Sequence, residues 1–272
     1  MHAVATSAPR PFLKWAGGKA QLLDQLTPLF PAKFARYFEP FLGGGAVFFG
    51  LRPQRARLTD VNGELIACYR AVRDEPSAVV TALAAHRYDK DHFYEVREQN
   101  PGQLTSAERA ARTIFLNKAA FNGLYRVNSR GLFNVPFGRH RNPTICDPEN
   151  LAACSAALQN IELEVADFSS VLAHVRDGDF VYFDPPYVPV SDTADFTAYA
   201  TGGFTWARQR QLAAIFRELR ARGVRAALSN SDVPALRELY ADQRIETVAA
   251  LRRINSNAER RGRLSEIVVL NY

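Results

Sequence analysis

Hydrophobic and polar positions change their period twice along this chain of 272 residues. The segment 37–41 reads as a short buried strand and 57–61 as a second strand candidate. The first leads into Gly43-Gly44-Gly45 and the second carries Asp60 near its end. From Asn62 onward, apolar residues recur three and four apart through NGELIACYRAVRD, PSAVVTALAAH, HFYEVREQ and SAERAARTIFLNKAAF. That spacing lines one stripe of a helix, so it predicts four amphipathic helices. Ser106 opens the run S-A-E-R, a helix start. Glycines, asparagines and a proline break the pattern over 122–138, which reads as an extended hairpin-like loop. Strand-like runs return at 161–165, 180–183 and 224–228, with a helix over 206–222 stopped by Gly223. Two closing strands are expected at 244–251 and 267–271.

Strands and helices alternate at both ends of the chain, around a mostly helical middle. The fold class this predicts is α/β: a Rossmann-like, doubly wound sheet with a helical insertion. One domain should comprise 1–61 and 151–272, and the insertion 62–150.

Composition narrows the function classes. Hydrophobic residues make up 47% and charged residues 23%, which excludes a disordered chain. Lys plus Arg outnumber Asp plus Glu by 34 to 28, and the resulting charge of +6 permits a polyanionic partner without requiring one. Cys68, Cys146 and Cys154 form no C-x-x-C pair, which argues against a disulfide framework or a cysteine zinc site and for a reduced, cytoplasmic protein. The start MHAVATSAPR has no apolar core, and no run reaches the roughly 18 apolar residues of a membrane span. Neither a signal peptide nor a membrane span is expected, and no cluster has metal-ligand spacing.

Four constellations could carry chemistry. In Glu39-Pro40-Phe41-Leu42-Gly43-Gly44-Gly45, glycines at a strand end let a ligand approach the backbone. Asp60, at the next strand end, is placed to bind a ribose hydroxyl pair. Taken alone, a structural turn accounts for these glycines equally well. Asp184-Pro185-Pro186-Tyr187 follows the apolar strand FVYF. Two prolines stiffen the turn and remove two donors, leaving carbonyl acceptors beside one carboxylate and one aromatic ring. That set suits an amino group on a flat ring. A bare D-P-P would read as a rigid turn, but the adjoining tyrosine and the upstream glycine loop favour a binding site. Lys14-Trp15-Ala16-Gly17-Gly18-Lys19 packs two lysines, an indole and two glycines into six residues. It serves as well for a loop with a core plug as for a ligand loop. The stretch between Glu108 and Asp147 contains no acidic residue. It holds Arg109, Arg112, Lys118, Arg126, Arg130, Arg139 and Arg141, interleaved with Phe121, Asn122, Tyr125, Asn128, Phe133, Asn134 and Phe137. Such a mixture fits groove reading and base stacking, against the plain alternative of a solvated basic surface. A second basic patch, Arg252, Arg253, Arg260, Arg261 and Arg263, is opposed by Glu259 alone.

Together these segments resemble the Dam-type (D12 class) DNA adenine-N6 methyltransferases. The matching pieces are FLKWAGGK, EPFLGGGAVFF, DVN, FNGLYRVNSRGLFNVPFG, DPPY and LSNSD, in that family's order, with RINSNAERRGRLSEIVVLNY resembling its C-terminal end. DPPY and FxGxG occur in several methyltransferase groups, whereas KWAGGK with FNGLxRxN and FNVPFG is far more specific.

The resemblance implies a methyl transfer from S-adenosylmethionine to an adenine flipped out of duplex DNA, with GATC as the expected site. It implies that Trp15, Lys19, Phe41, Gly43, Asp60, Asp167, Phe168 and Asp184 contact the cofactor. It implies that Asp184, Pro185, Pro186 and Tyr187 hold the target base. The insertion becomes a DNA target-recognition domain, with Lys14, Asn122, Leu124, Arg126, Asn128, Pro136 and Arg139 at the DNA. Arg112 and Lys118, on the helix before the hairpin, are expected to be phosphate contacts or solvated. Where such an enzyme belongs to a restriction–modification pair, a restriction endonuclease acts separately beside it. Three other readings are weaker. An RNA adenine methyltransferase fits a rigid hairpin less well, because the RNA major groove is too narrow to read. A non-catalytic DNA-binding protein leaves DPPY without a use. A dinucleotide oxidoreductase lacks its G-x-G-x-x-G loop.

Overall fold

The computed structural model describes residues 8–128, 130–188, 204–250 and 264–272. The second basic patch, nearly all of the loop 188–203 and the first seven residues lie outside the described part. In chain order the elements are α1 (Leu23–Leu26), β1 (Tyr37–Glu39), α2 (Ala46–Leu51), β2 (Ala56–Asp60), α3 (Gly63–Asp74), α4 (Pro76–Ala84), α5 (Lys90–Glu98) and α6 (Ser106–Ala119). They continue with α7 (Pro148–Leu158), β3 (Glu162–Val165), β4 (Phe180–Phe183), α8 (Trp206–Ala221), β5 (Arg225–Ser231), α9 (Pro234–Leu239), β6 (Arg244–Ala250) and β7 (Leu264–Leu270).

The chain divides into two compact units. The first is Met1–Lys19, Gly43–Arg52 and Asn62–Val165; the second is Ala20–Leu42, Pro53–Val61 and Ala166–Tyr272.

In the second unit six strands pair in the order β2-β1-β4-β5-β7-β6. β2, β1, β4 and β5 run parallel, while β7 is antiparallel to both β5 and β6. This is the mixed, mostly parallel sheet of an α/β, Rossmann-like fold. β4 is buried at every position, as a central parallel strand must be when both its faces are covered. Phe38, Val181, Phe183, Ala226 and Leu228 share a core with Leu212, Phe216 and Leu219 of α8 and Leu236 of α9. Residues one step along point to the opposite face, where Tyr37, Phe180 and Tyr182 meet Phe30 and Phe34. Thr205 caps α8 by accepting from the Arg208 N–H, and Gly223 at φ +73° turns the chain out of the helix into β5.

In the first unit α6 is the central helix. Thr105 and Glu108 form a reciprocal capping box at its start. Ala110, Ala111, Ile114, Phe115 and Leu116 are buried, and so are the polar Arg112, Thr113 and Asn117. The incoming chain places Phe12 against Tyr69 of α3, ring centroids 4.8 Å apart, and against Phe49 of α2.

Most element positions follow the hydrophobic periods, with shifts at their ends. β1 stops at Glu39, short of Phe41. α5 begins two residues before the run HFYEVREQ, because Asp89 accepts from the His92 N–H and caps it. α7 and α9 have no counterpart in the periodic reading. Both start with a proline in the first turn, and α7 is capped by Asp147.

Candidate active site and DNA interface

The ends of the parallel strands carry the acidic and aromatic residues singled out in the second unit. β2 ends at Asp60, half-buried, and the neighbouring Val61 is 71% exposed. The Asp60 carbonyl accepts from the Ala166 N–H at 3.1 Å, which brings the segment Ala166-Asp167-Phe168 beside it. Asp167 accepts from the N–H and hydroxyl of Ser169, at 3.0 and 2.6 Å, and pairs with the Arg208 guanidinium. Burial pushes its pKa up, but those hydrogen bonds and the arginine charge outweigh this and hold the carboxyl below its usual range. Phe168 is buried. Phe41 stacks on it at 5.3 Å, Phe204 packs at 5.3 Å, and the Arg208 guanidinium carbon lies 4.4 Å from its ring centroid.

β4 runs directly into Asp184. Pro185 is buried, Pro186 exposed, and Asp184 and Tyr187 are half-buried. The Tyr187 hydroxyl donates to Glu266 of β7 at 2.7 Å. Burial, with Asp184 and Glu266 nearby, drives the phenol pKa far upward, so this hydroxyl stays protonated and donates. Beyond the turn, Asn230 Oδ1 accepts from the Val188 N–H at 3.3 Å, and the Ser231 hydroxyl donates to the Val188 carbonyl. The buried Gln209 reaches the Pro186 carbonyl through a long bond of 3.4 Å. These supports answer the rule that buried polar groups need partners. Gln209, Asn230, Ser231 and Glu266 were not singled out by sequence. The signal for two of them was present in LSNSD, where three polar residues end an apolar strand and all are buried.

In the first unit, Gly43 adopts φ +48°, and a Cβ there would lie 2.7 Å from Trp15 Cδ1. Only glycine allows the indole to pack so close. The indole also stacks on Tyr125, at 5.3 Å and 24°. Lys19 is buried and donates to the Gly17 carbonyl, whereas Lys14 is exposed.

The stretch 120–138 forms a hairpin. Bridges join Ala120 to Phe137 and Val127 to Phe133, and the Asn134 N–H donates to the Arg126 carbonyl at 3.0 Å. Asn128 builds the tip: its side-chain oxygen accepts from the N–H groups of Arg130 and Leu132. Arg126, Leu124, Asn122, Pro136 and Arg139 are all exposed on it. Arg126 Nε donates to Asn134 Oδ1 at 2.7 Å, which holds the guanidinium stem against the opposite strand.

The basic stretch divides once burial is known. Arg126, Arg130, Arg139 and Arg141 are exposed. Arg109 pairs with Glu64. Arg112 is 5% exposed and donates to the carbonyls of Val96 and Arg97 at 2.9 and 2.8 Å. The expectation that Arg112 is a phosphate contact or solvated is therefore wrong: it closes the C-terminal end of α5, donating to the Arg97 carbonyl and adding a second donor to the Val96 carbonyl, which also accepts from the Gln99 N–H at 3.3 Å. Lys118 is half-buried, and burial lowers its pKa.

Among the described residues no helix is long and apolar enough to cross a membrane. The sequence matches the family model described as D12 class N6 adenine-specific DNA methyltransferase over residues 15–254. A type II methyltransferase of Lactococcus lactis subsp. cremoris, M1.LlaDCHI, is 43% identical over 97% of this chain and 95% of its own length. The type II methyltransferase M.MjaIII of Methanocaldococcus jannaschii is 38% identical, covering 97% and 99%. DNA adenine methylase of Escherichia coli K12 is 36% identical, covering 96% and 95%. The chain thus belongs to the D12 class of N6 adenine-specific DNA methyltransferases, enzymes that move a methyl group from a donor to adenine in DNA.

Proposed function

We propose that this enzyme takes its methyl group from S-adenosylmethionine and places it on the N6 amine of an adenine flipped out of duplex DNA, within GATC. The observation that carries the reading is Asp184-Pro185-Pro186-Tyr187 at the carboxyl end of a fully buried parallel strand, its aromatic hydroxyl tied to the sheet. Ligands of open α/β sheets bind at such strand ends.

The residues present fit the cofactor. Asp60 is a half-buried carboxylate at a strand end beside the exposed Val61, suited to ribose hydroxyls. Asp167 is held ionised, suited to an adenine amine, next to Phe168 and Phe41. Trp15, Lys19, Gly43 and Asp184 complete the set we assign. When bound, S-adenosylmethionine supplies an electrophilic methyl group on a sulfonium.

The remaining chemistry belongs to the chain. A base inside the duplex is out of reach, so it must leave the stack at a cost of roughly a few kcal/mol. Tyr187 offers a ring for that base, and stacking returns about 1–3 kcal/mol. Asp184 and the Pro185 carbonyl accept the two amine hydrogens and so turn the nitrogen lone pair out toward the methyl group. Pro186 stiffens the turn that holds them. Orientation and charge placement supply most of the gain.

We assign DNA reading to the insertion 62–150 with Lys14, and the catalytic role to 1–61 and 151–272. Arg126 is the residue we expect to read a guanine, since a guanidinium bonds both acceptors on that base's major-groove edge. Leu124 and Pro136 are apolar and exposed, as contact with a thymine methyl needs. Asn122, Asn128 and Arg139 flank them. The hairpin's resemblance to those of family members that act at GATC supports that site. The names of two relatives, type II methyltransferases, support pairing with a separate restriction endonuclease. Action on cellular DNA, near the nucleoid, puts the enzyme in the cytoplasm. Mapping N6-methyladenine in DNA from cells expressing the protein tests the reading. Methylation confined to GATC supports it, and methylation at another sequence refutes that site.

A further inference from the structure

We infer that Glu266 is a positioning residue for methyl transfer, acting by holding the Tyr187 ring through its hydroxyl; this rests on the proposed stacking of the target adenine on Tyr187. The two residues are 79 positions apart, and the link between them is one hydrogen bond of 2.7 Å, from the phenol to Glu266 Oε2. Glu266 is rigidly placed. It sits inside β7, opposite Ser231 of β5 on one side and Val248 of β6 on the other. Tyr187 is two residues past the buried Pro185, in a turn braced by bonds at Pro186 and Val188, and its side chain is half-buried.

A tyrosine ring has two free torsions. The para oxygen lies on the axis of the second torsion, so a bond there fixes the ring's tip and restrains the first; the phenolic O–H favours the ring plane, so the direction of the bond also biases the second. Glu266 therefore fixes where the ring stands and biases the plane against which a flipped base would lie. A carboxylate is the strong choice of acceptor, because a charge-assisted bond is shorter and about twice as strong as a neutral one. Burial, with Asp184 and Glu266 nearby, keeps the phenol protonated, so the hydroxyl remains a donor. The next residue of β7, Ile267, is in the apolar core. Glu266 points away from it by the strand's alternation, so a substitution there can loosen the ring and leave the core packed.

The test is single-turnover methylation of duplex DNA at saturating cofactor, run on Glu266→Ala, Glu266→Gln, Tyr187→Phe, Tyr187→Ala and the double variant Tyr187→Phe with Glu266→Ala. Thermal unfolding checks that each is folded. Glu266→Ala and Tyr187→Phe should each slow transfer by about tenfold, on the scale of one charge-assisted hydrogen bond. KM for S-adenosylmethionine should stay within about twofold, and the double variant should be no slower than either single one. Glu266→Gln keeps an acceptor and should recover most of the rate. Multiplying effects in the double variant, or full activity in Glu266→Ala beside an impaired Tyr187→Ala, would overturn the assignment of Glu266 alone. Full activity in Tyr187→Ala would overturn the stacking role on which it rests.

Discussion

Asn117 and Lys14 are joined by two hydrogen bonds between one side chain and the backbone N–H and C=O of one residue. Asn117 Oδ1 accepts from the Lys14 backbone N–H, and Asn117 Nδ2 donates to the Lys14 carbonyl, both at 2.8 Å. The same Nδ2 also donates to the Gly123 carbonyl at 3.1 Å. One fully buried amide on α6 thus fixes both the segment that begins at Lys14 and the entry to the hairpin. Asn117→Ala leaves buried backbone groups unpaired, and each such group costs about 1–3 kcal/mol. Urea unfolding should show a loss of at least this size, and the surviving enzyme should discriminate less well among sites. A shift of under about 0.5 kcal/mol, the range of ordinary surface changes, contradicts the role given to this amide.

Arg112 is the reverse case of a basic residue in a DNA-binding enzyme. Removing it should act on stability and not on the electrostatics of binding. Arg112→Ala removes the guanidinium donor to the Arg97 carbonyl and one of two donors to the Val96 carbonyl, for a loss of about 1–3 kcal/mol. The slope of DNA affinity against salt should not change, because no phosphate contact is lost. A flattened slope with unaltered stability would return Arg112 to the DNA.

That contrast shows what the sequence could and could not reveal. Strand ends were legible because DPPY follows the apolar run FVYF directly, and the glycine loop and Asp60 stand at the ends of strand-length segments. The exposed side of the hairpin was legible because its residue types are costly to bury. Arg112 was not, since its position on α6 faces the end of α5, and periodicity does not say which helix a face meets. Glu266 and Gln209 act on DPPY from other elements, 79 and 23 positions away, and no local pattern marks such a contact. α7 escaped because its buried residues Leu151, Ala153, Cys154 and Leu158 are small or spread too evenly to make a sharp stripe.

Arg126 should behave as a base-reading residue. Arg126→Ala is expected to cost about 1–3 kcal/mol on the preferred site and to relax discrimination at one position. Its exposed guanidinium makes little contribution to the fold beyond the bond to Asn134, so unfolding should change little. Methylation rates on duplexes with each base of the site substituted give the answer. Equal losses across the panel would place Arg126 on a phosphate.

His86 makes stability depend on pH. Its ring stacks on Phe115 at 4.6 Å, and its Nδ1 lies 3.1 Å from His92 Nε2, with Glu95 beside His92. Burial, then the nearby His92, pushes the His86 pKa down from 6.5 to about 4. The unfolded chain therefore takes up a proton near pH 6.5 that the folded protein refuses until about pH 4. The stabilising contribution is complete above pH 6.5 and declines as pH falls toward 4. Melting temperature should drop over that window, and less steeply in His86→Phe, which keeps the stacking. Identical pH profiles would contradict this origin.

Asp184 carries the central claim, that the turn after β4 holds the amine which receives the methyl group. Asp184→Ala, assayed with saturating radiolabelled S-adenosylmethionine on duplex DNA containing GATC, tests it most directly. The variant should stay folded and keep its affinity for that DNA, because Asp184 lies outside the hairpin, while label transfer falls to background. Transfer at a rate near that of the unaltered enzyme would contradict the account.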